Sequence, residues 1–229
     1  MSSIGLKDIG QQADDSSKIT DLSSWKHRID ISIAKSRKIR GSNYVQIATV
    51  SNGEPRCRTV VFRGFQELPP DHPTAVTCDG MSCAMKMVTD NRSNKVSEAS
   101  VNSAVELVWW FPKSSEQYRV RGRLLFVGNG QFEHDKDDVL SSTRRQQWGN
   151  LRDQAREQFF WPDPGAAFEE EPRVPEGGRG EEGKVLPAPD SFLLMFLIPD
   201  RVDYLRLTDN YHQIDEVVDD KWTMKRVNP

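Results

Sequence analysis

The chain has 229 residues, 36% hydrophobic and 28% charged, with a formal net charge of -3. That length holds one large domain or two small ones, and the modest apolar share fits a small core with long solvated segments. The acidic balance argues against a general nucleic-acid binder.

No apolar run approaches the ~20 residues that span a bilayer. Residues 1–18 are polar, which excludes a secretory signal, and Asp8, Asp14 and Asp15 spoil an acid-poor transit pattern. A cytoplasmic protein is the expectation. Cys57, Cys78 and Cys83 form no CxxC pair, and the four histidines are scattered, so no zinc-type ligand cluster is expected. The cysteines read as reduced thiols.

In chain order, residues 1–20 read as a disordered tail. A helix is expected from about Ser23 to Lys38: Ser23 or Ser24 can cap it, and Trp25, Ile29 and Ile33 recur at a four-residue spacing. Val45–Val50 and Cys57–Phe62 read as a hairpin across Asn52-Gly53, since Asn-Gly between two strand-like runs favours a tight turn. Ala75–Cys78 is a short strand. Thr89–Lys95 is a polar turn opening a helix that reaches about Ala99. Ala104–Phe111 and Gln117–Val127 read as strands, the second bending at Gly122.

Glu133–Phe160 is helical in composition, with a break at Gly149. Glu169–Ser191 holds Pro, Gly and Glu and few large apolar residues, so it reads as a flexible loop. Phe192–Ile198, Arg201–Leu207, Gln213–Val218 and Trp222–Val227 are expected strands, with a turn at Asp219-Asp220. Strands on both sides of the loop favour a single β-rich barrel with added helices over residues 21–229.

Three places carry candidate chemistry. The strand Arg56–Arg63 keeps cations at Arg58 and Arg63 among core-forming residues, and such cations call for an anion. The turn Thr89–Lys95 offers hydroxyls at Thr89 and Ser93, an amide at Asn94 and cations at Arg92 and Lys95. It stands at a helix N-terminus, where free N–H groups favour an anion; the plainer reading is a helix cap with solvated charges. The third place is Trp109-Trp110-Phe111 with Gln117, whose amide can bond the edge of a planar ring. Those aromatics fit a core or an interface equally well. Arg119, Arg121 and Arg123 alternate on one strand face, as a solvated face does.

Gly53–Arg63, Thr89–Lys95, Trp109–Phe111 with Gln117–Gly122, Trp161-Pro-Asp-Pro-Gly165 and the ending Trp222–Pro229 together resemble one family. It is the pyridoxamine 5′-phosphate oxidase superfamily of FMN-binding split β-barrels, and within it the Alr4036-type FMN-binding proteins. Order and spacing match over about residues 20–229. The resemblance implies a mainly β (α+β) fold, a split barrel with flanking helices, and a homodimer with FMN at its interface.

By the same resemblance, Arg58 and Lys95 hold the FMN phosphate, with Thr89, Ser93 and Asn94 nearby. Thr59, Val60 and Val61 line the ring with their backbone. Arg63 stands where the oxidases have lysine, beside flavin and substrate, and Gln117 reaches the flavin of the partner subunit. Asn94 departs from the arginine of the oxidases. Arg63, Arg144 and His212 are the substrate-binding candidates; Arg144 and His212 align with part of the oxidases' substrate set, and the rest of that set is missing. The implied function is an FMN-dependent oxidoreductase of unknown substrate. The alternatives are a genuine pyridoxamine/pyridoxine 5′-phosphate oxidase and a flavin binder without turnover.

Overall fold

The computed structural model describes residues 23–170 and 174–229. The expected tail, residues 1–20, lies outside them. Helix α1 spans Trp25–Ser36, where the Ser24 hydroxyl accepts from the His27 N–H. Its stripe of Trp25, Ile29 and Ile33 is buried as expected. Strands β1 (Tyr44–Ser51) and β2 (Glu54–Val61) form the hairpin, with Ser51 opposite Glu54. Asn52 and Gly53 both take positive φ, 53° and 81°, the backbone that a two-residue hairpin turn requires.

Two short strands follow, β3 (Thr77–Cys78) and β4 (Met81–Ser82), then β5 (Met85–Asp90). Helix α2 (Asn94–Val101) leads to β6 (Ala104–Phe111) and β7 (Glu116–Val127). Helices α3 (Asp138–Gly149) and α4 (Asp153–Glu157) replace the single helical stretch, and the break falls at Gly149 as expected. Strands β8 (Phe192–Arg206), β9 (Tyr211–Val218) and β10 (Lys221–Val227) end the chain. The β9–β10 turn places Asp219 and Asp220 at positive φ, with Val218 opposite Lys221.

The main sheet runs β10-β9-β8-β7-β6-β1-β2, and β5 pairs with β8. The chain after β2 bridges to β5: Phe65 pairs with Met85, and the Arg63 N–H donates to Lys86 O at 2.8 Å.

One expectation is corrected. The two strands expected at 192–198 and 201–207 are one strand, β8, which continues through Pro199. Gly122 of β7 faces that stretch, and a Cβ there would stand 2.1 Å from the Ile198 carbonyl oxygen. Only a residue without a side chain permits so close an approach.

The chain packs as two compact units. One comprises the described residues up to Met87 with Asn102–Leu124 and Phe196–Pro229; the other comprises Val88–Val101 and Leu125–Met195. In the second unit, Trp148, Leu151 and Phe192 form a core joined by Val88, Phe159 and Phe160. The segment expected as a loop at 169–191 carries local structure there. Its 3-10 turn, Glu176–Gly178, presents the Gly177 N–H to Glu157 Oε2 at 2.9 Å and the Gly177 carbonyl to Arg156 at 3.0 Å.

The first unit is built on an aromatic series that includes Trp25, Phe62, Trp109, Phe111, Tyr118 and Tyr204. A buried polar network lies against it. Glu116 accepts from Ser32 at 2.7 Å, from Tyr204 at 2.6 Å, and from Ser114. Arg28, with no exposed surface, donates to the Tyr211 hydroxyl at 3.0 Å. Tyr211 donates to Gln213, which donates to Asp215 at 2.7 Å. Asp215 also accepts from the Trp25 N–H at 3.2 Å, so the start of α1 is tied to β9.

Burial pushes the Asp215 carboxyl up to about 6, against the pull of Gln213 and Trp25. An acid whose folded pKa is raised binds its proton more tightly when folded. Its contribution is therefore largest below its ordinary value of 3.8 and is lost as pH rises through about 6. Replacing Asp215 with Asn removes this loss. The wild type is expected to fall behind Asp215→Asn by about 2 kcal/mol between pH 4 and pH 7, read from urea unfolding across that range. Parallel pH profiles for the two proteins would refute the assignment.

Candidate functional site

The most organised polar turn in the second unit is the sequence-predicted one, at the start of α2. Asp90 builds it. Its Oδ1 accepts from the backbone N–H of Arg92 at 2.8 Å and from Nε of Arg92 at 3.0 Å; its Oδ2 accepts from Nη2 at 2.7 Å. The Asp90 carbonyl accepts from the backbone N–H of Ser93 at 3.1 Å and from its hydroxyl at 2.6 Å. The Ser93 hydroxyl is thereby turned back to the Asp90 carbonyl.

Three side chains then converge. Lys95 Nζ donates to Thr89 Oγ1 at 3.0 Å and to Ser93 Oγ at 2.8 Å, and the two hydroxyls are 3.2 Å apart. Thr89 is 5% exposed and Lys95 is half-buried. An ammonium and two hydroxyls beside a helix N-terminus form a donor set for an anion with several oxygens. Asn94, the first residue of α2, is exposed and apart from these contacts. Arg92, a sequence candidate for the anion, turns instead to Asp90, to the Trp161 carbonyl at 2.8 Å and to Asp163 at 2.9 Å.

The first unit carries the other candidates. Arg58 of β2 is half-buried, and its Nη1 donates to the buried Thr49 hydroxyl at 2.5 Å and to the Arg56 carbonyl at 2.9 Å. Thr59 is exposed, Val60 is buried and Val61 lies between. Arg63 follows β2, where its backbone joins that of Lys86. Lys86 is a residue that sequence reasoning missed. Burial lowers its pKa, and its ammonium donates to Gln66 Oε1 at 3.2 Å. Its only sequence signal is a charge in a short apolar strand. Gln117 is half-buried on β7 opposite Trp110, on the face that also presents Arg119, Arg121 and Arg123.

A polar cleft of about 240 Å³ opens on that unit between Glu106, Arg119, Arg121, Arg201 and Asp203. Its arginines are paired: Arg119 with Asp203 at 2.7 Å, Arg121 with Asp200 at 2.7 Å, and Arg201 with Glu216 at 2.5 Å. His212 reaches Asp203 through Nε2 at 2.8 Å and the Asn228 carbonyl through Nδ1 at 2.7 Å. Burial favours protonation of Asp203, but Arg119 and His212 outweigh it and hold the carboxyl below its ordinary value. His212 sits on strand β9.

Arg144 is 6% exposed on α3. Its Nε donates to the Phe192 carbonyl at 3.0 Å and its Nη2 to the Pro189 carbonyl at 2.9 Å. Both of these acceptors are backbone carbonyls of the segment that leads into β8. Among the described residues, no group of three or more His, Cys, Asp or Glu comes together as a metal site. None of the described helices is long and apolar enough to cross a membrane.

Residues 22–128 match the family model for the pyridoxamine 5′-phosphate oxidase FMN-binding domain. This segment is similar to that domain. The cofactor of the domain is FMN. The Thr89, Ser93 and Lys95 cluster falls inside the match and suits the flavin's phosphate, so the residues present fit the group. The chain is 28% identical over 216 residues to pyridoxine/pyridoxamine 5′-phosphate oxidase 2 of Arabidopsis thaliana, covering 92% of this chain and 99% of that protein. A pyridoxamine 5′-phosphate oxidase-related, FMN-binding protein of Nostoc punctiforme has a similar structure. It has 29% identity and a TM-score of 0.72, over 92% of this chain and 100% of that one. PhzG of Burkholderia lata, solved with tetrahydrophenazine-1-carboxylic acid, shares the fold at 13% identity and a TM-score of 0.59, over 88% of this chain and 90% of its own.

The burial of Arg144 yields a test. Arg144→Ala leaves two carbonyls without their charged donor. It is expected to lower unfolding free energy by about 2–3 kcal/mol in urea. A substrate ligand of the ordinary kind would leave stability unchanged when truncated.

Proposed function

We propose that the chain is an FMN-dependent oxidoreductase acting on a small molecule. The single observation that carries this reading is the convergence of Lys95, Thr89 and Ser93 at the start of α2, within the matched FMN-binding domain. Lys95 supplies the charge for the phosphate and the hydroxyls orient its oxygens. Arg58 is proposed as a further phosphate ligand, on the strength of the family motif. The backbone of Thr59–Val61 is proposed to line the ring, and Arg63 to stand beside it. FMN, when bound, supplies the redox chemistry. The protein's part is to hold the flavin, fix its orientation and exclude water.

A homodimer belongs to the same reading. The face of β1, β6 and β7 exposes Tyr44, Val50 and Trp110, at 49%, 40% and 40%. Large apolar groups grouped on a sheet face mark an interaction surface. Gln117 lies on that face opposite Trp110, as a residue reaching a partner's flavin would.

A second reading is favoured by one finding, the Arabidopsis oxidase matched along 99% of its length. In that reading the substrate is pyridoxamine or pyridoxine 5′-phosphate. The engaged Arg144 argues against it.

The purified chain is expected to be yellow, to release FMN on denaturation and to sediment as a dimer that Trp110→Glu dissociates. Lys95→Ala and Arg58→Ala are each expected to weaken FMN by about tenfold or more, the value of one charge-assisted bond. Arg63→Ala is expected to leave the preference for FMN over riboflavin intact. Colourless protein that takes up no FMN sinks the proposal. Peroxide formed from pyridoxine 5′-phosphate would establish the second reading.

A further inference from the structure

The sequence singles out Trp161-Pro-Asp-Pro-Gly165, and the flavin reading leaves that motif without a task. Its contacts supply one. Arg92 is the residue that meets it. The guanidinium takes Asp90 with two parallel bonds, from Nε at 3.0 Å and Nη2 at 2.7 Å, while Nη1 reaches the Trp161 carbonyl at 2.8 Å and Asp163 at 2.9 Å. All three guanidinium nitrogens are engaged. The far side of this link is itself held. Trp161 Nε1 donates to Glu157 Oε1 at 3.4 Å, and Glu157 Oε2 accepts from the Gly177 N–H. A second attachment runs through the backbone, from the Asn91 N–H to the Ser191 carbonyl at 2.8 Å, and the Ser191 hydroxyl donates to the Phe159 carbonyl at 2.6 Å.

We propose that Arg92 is a positioning residue that gives the turn its selectivity for the phosphate of FMN. It acts by locking Asp90 to the 161–163 segment. This rests on the flavin reading above. Asp90 fixes the backbone and hydroxyl of Ser93, and Ser93 in turn receives Lys95. Freeing Asp90 loosens the donors that the phosphate meets and leaves the ring-binding residues of β2 untouched. The cost of the loosening therefore falls on FMN, which has a phosphate, and spares riboflavin, which lacks one.

Two accounts of Arg92 predict opposite signs. If Arg92 acted by its charge on the phosphate, removing the nearby Asp163 carboxylate would tighten FMN, and lysine at position 92 would serve as well as arginine. If Arg92 acts by position, Asp163→Asn weakens FMN, and Arg92→Lys fails, because an ammonium cannot chelate a carboxylate with two parallel bonds. Asp163 is 70% exposed in its side chain, so its substitution leaves the fold intact even where Arg92→Ala does not.

The experiment is a flavin-fluorescence titration of the full-length apoprotein with FMN and with riboflavin. The wild type is expected to prefer FMN. Arg92→Ala and Arg92→Lys should lose about tenfold in FMN affinity, and Asp163→Asn about threefold, on the scale of one charge-assisted bond or part of one. Riboflavin affinity should stay within about twofold throughout, since no ring contact changes. Variants that keep the wild-type preference, lose both flavins equally, or gain FMN affinity at Asp163→Asn overturn the role of Arg92 alone. A wild type that binds both flavins alike overturns the phosphate reading of the turn, and this proposal with it.

Discussion

Six donor contacts converge on Asp90: three on its carboxylate from Arg92, and three on its carbonyl, two from Ser93 and one from the Thr89 hydroxyl. The turn at Thr89–Lys95 with that many constraints has few conformations left to it, and its last two residues open α2. The turn divides its two cations between tasks. Arg92 is planar and forked, which suits a carboxylate held with two bonds. Lys95 is a compact charge on a flexible stem, and it collects hydroxyls instead. Exchanging the two would spoil both, because lysine cannot chelate and arginine would crowd the hydroxyls.

The first unit depends on a different polar arrangement. Arg28, Glu116 and Asp215 are almost fully buried, and burying charge is unfavourable unless each group is paired or hydrogen-bonded. Arg28 lies against the faces of Tyr204 and Tyr211, at 5.1 and 4.5 Å from the ring centres. Its Nε reaches the Ser23 carbonyl at 3.1 Å. Glu116 gathers hydroxyls from α1, β8 and the β6–β7 loop. Such a network contributes little net stability against a well-packed apolar core of the same volume. Its effect is on geometry. A helix held by directional bonds has one register against the strands, where a purely apolar face would tolerate several.

Local chemistry accounts for what was legible in the chain. Asn52-Gly53 is a short-range signal, and the hairpin lies where it points. The stripe of Trp25, Ile29 and Ile33 is a periodic signal, and α1 buries it. The turn at 89–95 showed as a cluster of small polar residues, and its hydroxyls and Lys95 do converge. Long-range partners were not legible. Two strands were read on either side of residues 199–200, yet β8 passes through both, and the glycine at position 122 shows how closely β7 and β8 approach. Arg92 was read as a cation for an anion, because Asp163 lies 71 residues away and nothing local announces it. Arg144 was read through the family resemblance, and its acceptors are backbone carbonyls, which no sequence displays. The loop expected at 169–191 has a loop's composition, but Gly177 and Gly178 take positive φ in a tight turn that Arg156 and Glu157 hold.

The position of the family match along the chain bears on what the protein acts upon. Every cofactor candidate, from Arg58 to Gln117, lies within residues 22–128. Both substrate candidates that lie apart from the flavin motifs, Arg144 and His212, fall outside that segment. One is engaged with carbonyls, and the other with Asp203 and the Asn228 carbonyl. A cofactor site and a substrate site built from different stretches of chain can change independently. On the proposed reading, the turn at 89–95 needs a fixed set of donors at fixed distances, so it tolerates little change. A substrate pocket needs only to present the substrate to the flavin, and many side-chain sets do that. The same cofactor on a different substrate is therefore the divergence that this arrangement permits at least structural cost.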